Sequence, residues 1–272
     1  MRKLFLSIVL LCFYCMGQSQ LLSWSPAFAT ESTTSFVITM DASKGNLGLN
    51  NYINTSDVYV HTGVITSAST STTDWRYVKF NQNFNTPNTS LQALYVGGNR
   101  WQFTISGGIR AYYGVPAGET ILKIAILFRN GAGTTVQRNS DGSDMFIPIY
   151  TTALASRISV PLKQPTFNPK PEPIVKVVGN NVAITGVCNI ASTMNIYFNG
   201  TQVQTASNVT TISASPGPVI TTGGTQTIIV EAVNGAITAR DTVKFYQKWL
   251  QILQVEMTSN VQTVSQQIAE VP

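Results

Sequence analysis

The only histidine in the 272-residue chain, His61, stands in "DVYVHTGVI" (residues 57–65). Histidine is the side chain most often used for proton transfer near neutral pH. Such work needs a carboxylate or nucleophile beside it, and a metal site needs further ligands. Asp57 lies four residues away, about 13 Å along an extended strand, and no second histidine exists. The alternation of the strand places His61 on the face of Tyr59, opposite Val58 and Val60, as a partly exposed polar residue. A pair of carboxylates could cleave a glycosidic bond, but several of the 12 acids, such as Glu31, Glu172 and Glu270, sit at ends or turns. Asp141 and Asp144 in "NSDGSD" offer oxygens to a calcium ion, yet the full ligand set of a calcium loop is missing and "DG" is ordinary turn chemistry. Cys188, without a histidine in its own segment, reads as a small buried hydrophobe. No catalytic residue, metal site or cofactor site is expected.

Aromatic side chains are the better candidates for binding. Sugars stack their apolar faces on flat rings, while amide and hydroxyl groups reach the sugar hydroxyls. In "DWRYVKF" (74–80), Trp75, Tyr77 and Lys79 alternate with Val78 and Phe80. With Val78 and Phe80 inward, Trp75 and Tyr77 would stand outward about 7 Å apart, a platform for one or two sugar rings. "AYYGVPAG" adds Tyr112 and Tyr113 in a loop. Trp101, on an apolar face, is expected in the core.

The elements that must position these residues are strands. From 34 to 150 the apolar pattern has period two. Phe36, Ile38 and Met40 share a face, as do Trp101, Phe103 and Ile105, and as do Leu122, Ile124, Ile126 and Phe128. "DMFIPIY" supplies a last strand, and glycine–asparagine turns separate the runs. The prolines at 161, 165, 169, 171 and 173 mark an extended, semi-rigid linker that is also the expected protease-sensitive hinge. Beyond it Val182, Ile184 and Cys188 share one face, and Met194, Ile196 and Phe198 share another and run into the hairpin signal "NG" at 199–200. The expected fold is all-β: two tandem immunoglobulin-like antiparallel β-sandwiches, residues 20–155 and 174–246, joined by a Pro-rich linker at 156–173.

The N-terminal segment 1–19 reads as a signal peptide. Arg2 and Lys3 precede an apolar run from Leu4 to Met16 that is too short to span a bilayer, and Gly17 and Ser19 suit cleavage before Gln20. Leu11 and Tyr14, which precede Cys12 and Cys15, do not fit a lipidation site. Export through the Sec route, to the periplasm, cell surface or medium, follows, with no membrane span in the mature chain. Only Cys188 then remains, so no internal disulfide can form. Removing Arg2 and Lys3 leaves 15 basic against 12 acidic residues, scattered singly. Nucleic-acid binding wants a basic stripe and is discounted. The tail 247–272 holds Trp249, Leu250, Ile252, Leu253, Val255 and Met257 with no later sequence to cover them, so the chain reads as interrupted.

As a set, "DVYVHTGV", "YYGVPAGETI", "ILFRN" and "DGSDMFIPIY" resemble the N-terminal β-sandwich module of Bacteroidetes-type secreted enzymes in the α-amylase superfamily of glycoside hydrolases. The resemblance covers about residues 21–150, and the closing "IAEVP" resembles the junction before the next module of such enzymes. "NGAG" at 130–133 departs from the acidic turn usual there. The resemblance implies a non-catalytic front end with a catalytic barrel downstream, acting as a spacer and weak α-glucan-binding module. The barrel's aspartate and glutamate have no counterpart here. The alternative is a free-standing immunoglobulin-like surface protein that binds glycans or adheres within a polysaccharide-uptake system.

Overall fold

The computed structural model describes residues 20–79, 84–172, 174 and 176–247. The expected signal peptide, the inward position of Phe80, Pro173 and the tail beyond Gln247 lie outside the described residues. The class is all-β, built from antiparallel sheets, as the period-two pattern requires. Among the described residues no helix is long and apolar enough to cross a membrane.

The first half is a sandwich. One sheet has the order β1–β2–β5–β4, from β1 (Leu22–Ser25), β2 (Ser35–Asp41), β5 (Arg100–Ser106) and β4 (Leu94–Gly97). The other is centred on β6 (Ile121–Asn130), paired on one edge with β3 (Val58–Thr66) and on the other with β7 (Val136–Gln137) and β8 (Met145–Pro148). Alternate residues of each strand point into the gap. Phe36, Ile38, Met40, Trp101, Phe103 and Ile105 come from the first sheet, and Val58, Val60, Val64, Ile124, Ile126 and Phe128 from the second. Each large apolar side chain so buried stabilises the fold by about 1.5–3 kcal/mol relative to exposure.

Leu122 breaks the expected alternation and is 45 % exposed, while Ile121 points inward. The cause is a bulge: Ile65 pairs with Lys123 but Thr66 pairs with Ile121, which leaves Leu122 as the extra residue. A single helical turn, α1 (Ile109–Tyr113), closes on Gly114 at φ +73°.

The Pro-rich stretch is not an extended linker. It opens with β9 (Ser156–Val160), a strand of the second half, and continues as a small hairpin of β10 (Lys163–Gln164) and β11 (Lys170–Pro171). Prolines are tolerated there because a two-residue pair leaves most backbone N–H groups outside any ladder. The Pro165 carbonyl accepts from Phe146 N at 2.7 Å, and Phe167 packs on Phe146 with ring centroids 5.2 Å apart. Lys163 pairs with Asp241 at 2.6 Å. The segment is therefore tied to both halves.

The second half is one sheet folded into two layers. It runs β13 (Thr201–Ala214), β12 (Ile184–Phe198), β14 (Gly224–Asn234) and β15 (Ile237–Gln247), with β9 paired to the start of β12. Residues 185–188 of β12 have β9 as one neighbour, whereas 193–198 have β14 there. Register breaks between Val187 and Met194 separate these stretches and let β12 bend. The fold-over is tight: a methyl group on Gly186 would lie 2.3 Å from Val230 Cγ1. Ile158, Ile184 and Cys188 from one layer meet Met194, Ile196, Ile228 and Val230 from the other. Asn199 and Gly200 both have positive φ, as the expected two-residue hairpin needs.

Candidate functional site

His61 does lie mid-strand in β3 and shares the face of Tyr59. That face is the outer one of its sheet, where Tyr59, His61, Gly63 and Ile65 stand opposite Arg129, Leu127, Ala125 and Lys123. His61 is stacked on Trp75 (centroids 5.6 Å, 25°) and meets Phe84 edge-on (5.2 Å). Burial, followed by the nearby Arg129 cation, lowers its pKa. A histidine held between two rings and biased towards the neutral form packs the outer face of the sheet.

The ring row continues in both directions. Arg129, only 1 % exposed, lies against Phe84 (5.1 Å) and Tyr59 (5.8 Å) and donates to the carbonyls of Asn130, Gly131 and Thr86. Trp75 meets Phe146 at 6.2 Å, Phe146 meets Phe167, and Lys123 Nζ sits 4.7 Å from the Phe167 centroid. A methyl group on Gly63 would lie 3.0 Å from Arg76 O and Val78 Cγ2, so the glycine lets the 76–78 segment lie close against β3, while Ala125 packs with Trp75 and Phe146.

Trp75 and Tyr77 were expected on one outward face; they part company. Arg76 forms a bridge to Val64, with N–O distances of 2.8 and 2.9 Å, which lays this segment along the edge of β3. Trp75 then packs on the outer cluster of Ile65, Ala125 and Phe146. At Tyr77 the backbone enters the left-handed region (φ +51°), so strict alternation fails and Tyr77 packs against the main core instead. Tyr77 OH donates to Glu119 Oε1 at 2.7 Å, and Glu119 also accepts from Thr66 Oγ1 (2.6 Å) and pairs with Arg76 (3.4 Å). Thr66 and Tyr77 hold the Glu119 carboxyl below the usual range, and the same Glu119 bond raises the Tyr77 phenol.

Tyr112 and Tyr113 belong to α1 and not to a loop. Their rings meet edge-on at 5.0 Å. Tyr113 is 4 % exposed and shares a 2.6 Å hydrogen bond with Thr62 Oγ1; burial pushes its phenol up. It offers no face to a ligand. Tyr112 is half-buried, with Lys79 Nζ 4.7 Å from its centroid and donating to its carbonyl at 2.5 Å; burial pushes its pKa up to about 12. So the structure joins Tyr112 to Tyr113, but does not join Trp75 to Tyr77. Glu119 and Thr66, which fix Tyr77, were missed because the glutamate lies 42 residues away in sequence, and no spacing signals that approach.

Asp141 accepts from Ser143 N (3.0 Å) and Ser143 Oγ (2.6 Å), and Asp144 pairs with Arg138, so "NSDGSD" forms the turn that "DG" suggests. Among the described residues no group of three or more His, Cys, Asp or Glu could hold a metal ion. Cys188 is buried in the second core, and burial raises its thiol pKa. Trp101 is fully buried, with Nε1 donating to Thr55 O at 3.0 Å. Comparison with models of known families finds none that matches the chain, and a search of curated proteins finds no relative.

Proposed function

We propose that the chain is the non-catalytic N-terminal region of an exported glycoside hydrolase of the α-amylase type, a spacer that presents downstream catalytic modules and holds α-glucan weakly. The observation that carries this reading is how the carboxylates are engaged. Glycoside cleavage needs two acids facing one substrate, one to donate a proton and one to attack or activate water. Here nine of the ten acidic side chains among the described residues have a hydrogen-bond or ion-pair partner. Glu31 pairs with Arg110, Asp144 with Arg138 and Asp241 with Lys163. Glu231 is held by Arg240, Asn195 and Tyr197, and Asp57 by Tyr52 and Gly131 N. Asp41, Asp74 and Asp141 cap their own turns. Glu119 is bound by Thr66, Tyr77 and Arg76. Glu172 stands apart from these, its carboxyl raised by burial.

The test is incubation of the purified chain with starch, maltodextrin and pullulan, with reducing ends measured over time. No release is expected. Release that disappears when one acid is changed to its amide would overturn the non-catalytic reading.

A further inference from the structure

The geometry points to a binding cleft for a neutral oligosaccharide on the first sandwich, beside α1 and the last residues of that half, lined by none of the four aromatic candidates although Tyr112 and Tyr113 adjoin it in α1. A depression of about 440 Å³ opens there, within the range of small-molecule sites. Exposed hydroxyl residues Ser32, Thr120, Thr151 and Thr152 line it, with Thr30 beside them. Tyr150 and the buried Ile121 supply apolar surface. A second open depression of about 600 Å³ adjoins it and shares Glu31, Ser32 and Arg110. Its lining includes Gly107, Gly108 and Gly114, where no side chain narrows the space. The three shared residues make the two depressions neighbours on one open surface, a shallow trough.

The ligand class follows from what the trough has left to offer. Arg110 crosses it, but all five of its N–H donors are engaged. Nε and Nη2 bind Glu31 Oε2, Nη2 also donates to Glu119 O (2.8 Å), and Nη1 donates to Val115 O (3.2 Å) and Pro116 O (2.6 Å). Glu31 Oε1 accepts from Ile121 N at 2.5 Å. An anion finds no free guanidinium edge and a cation finds a carboxylate that is already paired. What remains beside a tyrosine ring is a set of hydroxyls. Thr30 and Ser32 share a 3.1 Å bond and Thr151 Oγ1 accepts from Ala153 N at 3.3 Å, which leaves each with further donor or acceptor capacity. Thr120 and Thr152 add two more. That combination matches a neutral polyhydroxylated chain and matches neither a phosphate nor a metal ion. The inference rests on the glycan-binding part of the function proposed above and moves that binding to this trough.

The test is isothermal titration of the full chain with maltohexaose, cellohexaose and a sulfated oligosaccharide at low and high salt. Ser32→Trp and Thr152→Trp fill the trough from exposed positions, and Tyr112→Ala probes the aromatic site; thermal melts check folding. The expected result is weak binding of a neutral oligosaccharide, unchanged by salt, lowered at least tenfold by each tryptophan and little changed by Tyr112→Ala. Wild-type affinity in both tryptophan variants, or loss confined to Tyr112→Ala, would overturn the trough while leaving glycan binding intact. Preference for cellohexaose would keep the trough and overturn the α-glucan reading. Binding only of the sulfated sugar, or of none of the three, would overturn the neutral-ligand assignment.

Discussion

The lone histidine is held where a proton is unwelcome. His61 lies between Trp75 and Phe84 with the Arg129 cation near, and its pKa is lowered by burial first and by that cation second. The unfolded chain therefore binds the proton more readily than the folded one. Stability is full above the unfolded histidine pKa of about 6.5 and is lost as pH falls from there through the depressed folded value. Denaturant midpoints measured between pH 7.5 and 5 are expected to fall, and His61→Gln is expected to flatten that slope relative to wild type. An equal slope in the variant would place the titration elsewhere. The tryptophans divide in a related way. Trp101→Ala removes a fully buried ring and leaves the Thr55 carbonyl without its donor, at a cost of about 3–5 kcal/mol in a denaturation experiment. Trp75→Ala is expected to destabilise as well, because the ring packs on Ile65 and Phe146 instead of standing in solvent.

Strands in this chain are legible where the side-chain period is unbroken, and illegible where one residue shifts it. Phe36–Met40, Trp101–Ile105 and Met194–Phe198 read correctly because two-residue alternation matches a half-buried sheet. Leu122 did not, since a bulge is set by the register of β3 against β6, a pairing between residues some 60 apart. Tyr77 did not either, because its left-handed backbone has no glycine or asparagine to announce it. The candidate site suffered most, since one backbone torsion separates the two rings that alternation had joined. The folding-over of β12 was hidden for another reason: only contact across layers reveals it. Gly186 is where that contact is closest, so Gly186→Val is expected to cost about 1–3 kcal/mol by overpacking. Val230→Ala in the same chain is expected to recover part of the loss, and a double-mutant cycle by chemical denaturation measures the coupling.

Two separate apolar cores, one per half, are tied together by polar and aromatic contacts. The Arg157 guanidinium lies 4.5 Å from the Trp24 centroid, and Asp241 binds both Lys163 and the Ile158 N–H. Phe167 reaches from the Pro-rich hairpin onto Phe146. These contacts tie residues 156–172 to both halves like a clamp, so the two halves are expected to melt in one calorimetric transition. Arg157→Ala combined with Phe167→Ala is expected to split it into two and to speed proteolysis between residues 161 and 172. Two transitions in the wild type would show that the clamp couples nothing. Cys188 offers a way to watch this without heating the protein. It is the single cysteine among the described residues, it lies inside the second core, and its thiol is biased away from the reactive thiolate. In a chain beginning at Gln20, a thiol reagent can reach it only when that core opens. The labelling rate is thus a clock for one half alone. Its acceleration on loosening the clamp would measure, at room temperature, how much steadiness the first half lends the second.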